Sequence, residues 1–135
     1  MIKLIIGLKG TGKTKQMIEL VNEAVDRSKG SVVCIERSDK MRYDIKYQCR
    51  LIPADEYLIS DAPSLYGFVS GIYASNHDIT DIFIDSALRI TGGDIPEFDE
   101  FLTKTDSFAG VHGINVVITS TIDASDASET MKKYI

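Results

Sequence analysis

The chain has 135 residues, of which 44% are hydrophobic and 26% are charged, and its formal net charge is −5. This size and apolar content predict one globular domain over residues 1–135 and exclude a disordered chain, while the acidic balance makes nucleic acid and anionic membranes unfavourable partners. No apolar run approaches the roughly 20 residues of a membrane-spanning helix, and we expect no signal peptide, so the predicted location is cytoplasmic.

Predicted strands alternate with predicted helices along the chain. The strand candidates are the apolar runs at 2–6, 31–36, 56–60, 81–85 and 114–119. Helical periodicity runs from about Lys13 to Ser28, begins again after Asp61 and after Asp94, and marks a shorter helix over roughly 125–135. Three of the strand runs are solidly hydrophobic and rich in Ile and Val, as strands are when both faces of their sheet are covered. The pattern therefore predicts an α/β fold with a mainly parallel five-stranded sheet between two helical layers.

The connection from the first strand to the first helix, which we call the glycine loop (residues 7–14), is rich in glycine. Glycine interrupts regular structure at an entropic cost, so this concentration needs a reason. The loop matches G-x-x-x-x-G-K-[ST], the Walker A phosphate-binding motif, and has the strand before it and the helix after it that the motif requires. Its residues, which are the predicted phosphate-binding set, are Gly7, Leu8, Lys9, Gly10, Thr11, Gly12, Lys13 and Thr14.

A carboxylate that follows a buried strand is the second candidate for the same site. Asp85 ends the run ITDIFID, and open parallel sheets bind ligands at the carboxyl ends of their strands. We expect the Thr14 hydroxyl and Asp85 to hold Mg²⁺ while Lys13 neutralises the terminal phosphates of a nucleotide. The alternative is that Asp85 caps a turn at the end of its strand.

These motifs resemble those of the P-loop NTPases, and within them the RecA and KaiC type. IFIDSALRI is similar to the Walker B strand of that group, although Ser86 stands where many related ATPases have a catalytic glutamate. The resemblance implies a three-layer RecA-like fold that binds ATP or another NTP with Mg²⁺. It also implies a water-activating glutamate at the end of VVCIE, which is Glu36, and a phosphate-sensing residue after INVVI, which is Thr119. Lys13, Glu36 and Thr119 are thus the expected catalytic residues.

Three functional classes remain open at this point. The favoured one is an ATP-binding protein with weak or partner-activated ATPase activity that acts as a nucleotide switch towards a protein partner or a second copy. The alternatives are a nucleoside-type kinase and a P-loop module that binds without hydrolysis. Glu36 has the alternative role of an exposed strand end paired with Arg37, and Arg89 could reach either a phosphate or a neighbouring subunit.

The tyrosine segment, residues 39–50, fits neither a helix nor a strand. It interleaves four basic residues with Tyr43 and Tyr47, a pattern that could stack on single-stranded nucleic acid. Because the chain is acidic, we instead expect a solvated loop whose tyrosines lie on the core. A third alternative is that the segment covers the adenine base.

The RecA-like resemblance also implies a strand order of 56–60, 31–36, 81–85, 114–119 and 2–6. This order leaves the strand at 2–6 on an edge of the sheet. An uncovered apolar edge strand is liable to pair with other chains. We therefore expect residues 121–135 or a second chain to cover it.

Overall fold

The computed structural model describes residues 1–135 and has an α/β fold. The strands are β1 (Ile2–Gly7), β2 (Ser31–Glu36), β3 (Arg50–Pro53), β4 (Ile79–Ile84) and β5 (Asn115–Thr121). The helices are α1 (Lys13–Arg27), α2 (Ala62–Ser75), α3 (Ala87–Ile90), α4 (Ile95–His112) and α5 (Glu129–Lys132). All neighbouring strands pair in parallel, in the order β1-β5-β4-β2-β3. The predicted five-stranded sheet with helices on both faces is confirmed.

Each face of the sheet has its own hydrophobic core, because alternate residues of a strand point to opposite sides. On one face α1 covers the central strands, and the core there includes Met17, Val21, Ala24, Val32, Cys34 and Phe83. On the other face α2 and α4 cover them, and the core includes Val33, Ile35, Leu65, Val69, Ile82, Ile84, Phe98, Phe101 and Leu102. The central strands are therefore buried on both sides, which explains the apolar runs Val32–Ile35 in β2 and Ile82–Ile84 in β4.

The predicted strand at 56–60 is wrong, and the strand in its place is Arg50–Pro53. Residues 54–57 form a 3₁₀ turn, and Leu58 after it has a left-handed backbone with φ 57°, which ends any extended structure. The true strand escaped prediction because it is short and ends on proline. Proline lacks the N–H that a central strand needs, but it is tolerated at the sheet edge that β3 occupies.

The edge of β1 is covered by the C-terminal residues, as expected. The Leu4 amide donates to the carbonyl of Tyr134 at 2.8 Å, and the Ile122 amide donates to the carbonyl of Gly7 at 3.2 Å. Met131 in α5 is fully buried. The helix predicted over 125–135 is shorter than expected, since a 3₁₀ turn at Ala124–Asp126 precedes the single turn of α5. None of the helices combines the length and the apolarity needed to cross a bilayer.

Candidate functional site

A cavity of about 670 Å³ opens at the carboxyl ends of β1, β4 and β5. Its walls come from the glycine loop, the start of α1, the ends of β4 and β5, and α3. The lining residues are Lys9, Gly10, Gly12, Lys13, Thr14, Lys15, Asp85, Ser86, Leu88, Arg89, Gly93, Thr119 and Thr121. The structure thus brings five residues of the glycine loop together with Asp85 and Thr119. Four predicted site residues do not line the cavity: Gly7, Leu8, Thr11 and Glu36.

The backbone of the glycine loop needs its glycines. Gly10 and Gly12 have φ of 86° and 84°, in the left-handed region where residues with a Cβ are strained. A Cβ on Gly7 would lie 2.6 Å from the Thr11 hydroxyl oxygen, which itself donates to the carbonyl of Leu8 at 2.8 Å. The loop is therefore curled tightly, and substitution at any of these three glycines would distort it.

The start of α1 is open to the cavity and has no cap. Gly12 is its N-cap, no side chain accepts from its first amides, and its first turn carries no acidic residue. Helix N-termini leave N–H groups without partners and carry partial positive charge. By contrast, Asp61 caps α2 and Asp94 caps α4 by accepting from backbone amides. The open start of α1 can thus donate several hydrogen bonds to an anion.

Positive side chains reinforce this end of α1. Lys13 and Lys15 lie in its first turn, where a positive charge opposes the helix dipole. The ammonium group of Lys13 donates to the carbonyl of Leu8 at 2.9 Å, so its side chain folds back over the loop. With Lys9 and Arg89, the cavity is lined by four cations and by one carboxylate, that of Asp85. This excess of three positive charges stands out in a chain with a net charge of −5.

A buried hydrogen-bond network holds Asp85. The Thr119 hydroxyl donates to Oδ1 of Asp85 at 2.6 Å and accepts from the amide of Ser86 at 2.9 Å. Asp85 and Thr119 are 8% and 1% exposed. Ser86 has φ 59° and ψ 42°, a left-handed conformation that is strained for serine and that often marks functional sites. Thr119 therefore fixes one oxygen of Asp85, and its hydroxyl is already committed to protein groups.

Glu36 lies at the end of β2, and its carboxylate points to the tyrosine segment. It accepts from the amide of Lys40 at 2.5 Å and from the amide of Met41 at 3.3 Å. Burial raises the pKa of Glu36, the charge of Asp85 raises it further, and the two amide bonds oppose the rise. Since Glu36 is only 2% exposed, its alternative role as an exposed strand end is wrong. Its role in activating water stays a prediction.

The tyrosines of the segment at 39–50 do not lie on the core. Tyr43 and Tyr47 are each 91% exposed, whereas Met41, Ile45 and Cys49 are buried. The expectation that the tyrosines pack inward is therefore wrong. The side chains that anchor this loop are the smaller apolar residues, which recur every fourth position and pack against α1. The repeat is present in the sequence around residue 45, but the charged residues between its apolar members obscure it.

Two of the four cationic residues of the cavity, Lys15 and Arg89, were not among the predicted site residues. Lys15 follows the Walker A pattern by one residue, and Arg89 lies in α3, four residues beyond Asp85. Arg89 had been considered for contact with a phosphate or a neighbouring subunit, and its position in the lining fits the first of these. Lys15 lies just outside the Walker A pattern, and Arg89 lies within IFIDSALRI without an assigned role there. The signal for each is its position within four residues of a predicted site residue.

The arrangement can hold a multiply charged anion and a divalent cation side by side. Backbone amides and four cations face the cavity, and the Thr14 hydroxyl and the Asp85 carboxylate supply the oxygen ligands that Mg²⁺ prefers. No protein-family model matches the sequence, and no curated protein matches it at a significant level. The interpretation of the cavity therefore rests on its own residues.

Proposed function

We propose that the glycine loop is a P-loop and that the chain is a RecA-like nucleoside triphosphate-binding protein, with ATP as the expected ligand and Mg²⁺ as its cofactor. The observation that carries this proposal is the uncapped start of α1, which bears Lys13 and Lys15 and opens into a cavity with an excess of positive charge. An anion at that position would satisfy the free amides and relieve the unfavourable placement of the two lysines.

The phosphate chain would lie along the glycine loop. Gly10 and Gly12 allow the backbone to curl around it, since no side chain occupies the space beside either α-carbon. Lys13 would exchange its bond to the Leu8 carbonyl for a phosphate oxygen, which is a stronger acceptor because it is charged. This exchange needs only a side-chain movement.

The metal would lie between Thr14 and Asp85. When bound, Mg²⁺ would neutralise negative charge on the phosphates, and the Thr14 hydroxyl and the Asp85 carboxylate are the groups that would hold it. The chain contributes a carboxylate whose orientation is fixed in advance, because Thr119 holds Oδ1 of Asp85. The second oxygen, Oδ2, has only a 3.5 Å contact with the Ser86 hydroxyl, so it is the one free to face a metal or a metal-bound water.

The position of Glu36 supports weak or partner-activated hydrolysis. Its carboxylate is held by the amides of Lys40 and Met41, and these bonds would have to break before it could orient a water molecule in the cavity. A protein partner or a second copy that moved the tyrosine segment would release it. A nucleotide switch with slow intrinsic turnover is therefore the activity we propose.

Calorimetric titration of the purified protein with Mg-ATP tests this function. We expect binding by the parent protein, loss of at least roughly 1.5–3 kcal/mol of binding free energy in Lys13→Ala, since a charged hydrogen bond is removed, and no change in Lys29→Ala. Lys29 is an exposed lysine beyond the far end of α1 and is a matched control. Equal and negligible binding by the parent protein and Lys13→Ala would refute the proposal.

A phosphate-release assay then separates the classes of activity. Slow release by the protein alone, accelerated by a partner, would support the switch. Release only after a nucleoside is added would favour a kinase, and binding with no release under any condition would favour a module that does not hydrolyse its ligand.

A further inference from the structure

We infer that the cavity recognises the triphosphate group itself and discriminates little between bases, so that ATP, GTP, CTP and inorganic tripolyphosphate are bound with similar affinity. The inference rests on the proposed function and deepens it, because it names the part of the ligand that is recognised. It is based on the polar and cationic residues that line the cavity and on the absence of aromatic side chains from that lining.

The cavity has almost no surface on which a base could rest. Leu88 is the only apolar residue among its thirteen lining residues, and it is itself 8% exposed. The chain has six tyrosines and five phenylalanines, and none of them lines this cavity. Sites that recognise a whole small molecule are usually lined by apolar and aromatic side chains. This cavity lacks the surface that base stacking requires.

The lining also lacks groups that distinguish one base from another. Asn and Gln side chains are absent from it, and its one carboxylate, Asp85, is held by Thr119. Reading the edge of a base requires donors and acceptors in a fixed pattern. The remaining polar groups are three threonines, a serine and four cations, which suit phosphate oxygens.

The positive charges surround the cavity from two sides. Lys9, Lys13 and Lys15 belong to the glycine loop and the start of α1, while Arg89 projects from α3. Their attraction depends on the charge of the ligand and on the positions of its phosphates, and these are the same in all nucleoside triphosphates. Tripolyphosphate, which carries more negative charge than ATP, satisfies the same contacts.

The tyrosine segment does not supply a platform for the base. Tyr47 lines a separate groove of about 440 Å³ beside β3, and both tyrosines point to solvent. The segment is pinned by Asn22, which donates to the carbonyl of Asp44 at 2.9 Å and accepts from the amide of Lys46 at 2.9 Å. Bringing a tyrosine over the cavity would break these bonds and expose the buried anchors below.

Competition binding tests this inference. The full chain is titrated in the presence of Mg²⁺ with ATP, GTP, CTP and tripolyphosphate. Stacking of a base on an aromatic side chain is worth about 1–3 kcal/mol, which corresponds to about 5- to 150-fold in affinity. We expect the four ligands to bind within about fivefold of one another, since that contribution is missing.

Variants of Lys9 and Arg89, two of the cationic residues of the cavity, extend the test. Lys9→Ala and Arg89→Ala remove exposed side chains, so both variants should fold, and each should weaken all four ligands by the same factor. Lys29→Ala should weaken none.

The outcomes separate this inference from the proposed function. If ATP binds more than about fivefold tighter than tripolyphosphate or than the other nucleotides, the inference is overturned while the proposed function stands. If none of the four ligands binds, the proposed function fails and the inference fails with it.

Discussion

Replacing Thr119 by valine removes the hydroxyl that joins Asp85 to Ser86 and keeps the shape of the side chain. Thr119 is 1% exposed and its hydroxyl makes two hydrogen bonds, one of them a 2.6 Å bond to a carboxylate. A hydrogen bond to a charged group contributes about 1.5–3 kcal/mol. The Ser86 amide is half-buried beside the cavity, so water can replace its partner. We therefore expect Thr119→Val to lower the free energy of unfolding by about 1.5–3 kcal/mol.

Thr105→Val is the matched control. Thr105 is also fully buried, but its hydroxyl has no hydrogen-bond partner. Since an unsatisfied buried group is costly, its removal should raise the free energy of unfolding by about 1 kcal/mol. Urea denaturation without nucleotide measures both changes, and opposite signs are expected. The reasoning would be refuted if Thr119→Val changed stability by less than about 0.5 kcal/mol or if both variants moved in the same direction.

Three further predictions concern stability. The pKa of Glu36 is raised above its ordinary value of 4.5, so the stability that this group contributes is complete below pH 4.5 and is lost as pH rises through the higher folded-state pKa. Glu36→Gln should lack this loss, so in urea titrations its free energy of unfolding relative to that of the parent should increase over that pH interval. A difference that stays constant with pH would contradict the predicted sign. Leu58 is 87% exposed with φ 57°, so Leu58→Gly should raise the unfolding free energy by about 1 kcal/mol, and a lower melting temperature would count against backbone strain there. Gly30→Ala would place a Cβ 2.0 Å from the carbonyl oxygen of Asp78 and should lower the free energy of unfolding by at least roughly 2 kcal/mol. Gly110→Ala, in open space within α4, should raise it by up to about 1 kcal/mol. Equal effects of the two variants in thermal melts would refute this prediction.

The central sheet and the glycine loop could be predicted because each leaves a strong local signal. Strand β4 is largely buried on both faces and carries the apolar run Ile82–Ile84, and α1 shows its buried stripe at helical spacing. The glycine loop needs glycine at 12 because φ is 84° there, and at 7 because a Cβ would lie against the Thr11 hydroxyl. Local sequence and tertiary structure point the same way in these elements.

The remaining features depend on contacts that local sequence does not report. Strand β3 has four residues, and its pairing with β2 decides that it, and not residues 56–60, is extended. The direction of the Glu36 side chain depends on the two amides of the tyrosine segment, which no spacing reveals. The inward residues of that segment follow a helix-like repeat without forming a helix, so periodicity alone would have misled there as well.

The buried underside of the tyrosine segment offers a chemical probe of its movement. Cys49 lies there, and burial raises the pKa of its thiol to about 12, while burial also raises the pKa of Cys34, the only other cysteine. Thiolates are the reactive species, so both groups should resist alkylating reagents as long as the segment stays closed. The rate at which iodoacetamide modifies Cys49 would then measure how often the segment lifts from α1, and the native cysteine serves as the reporter without any substitution.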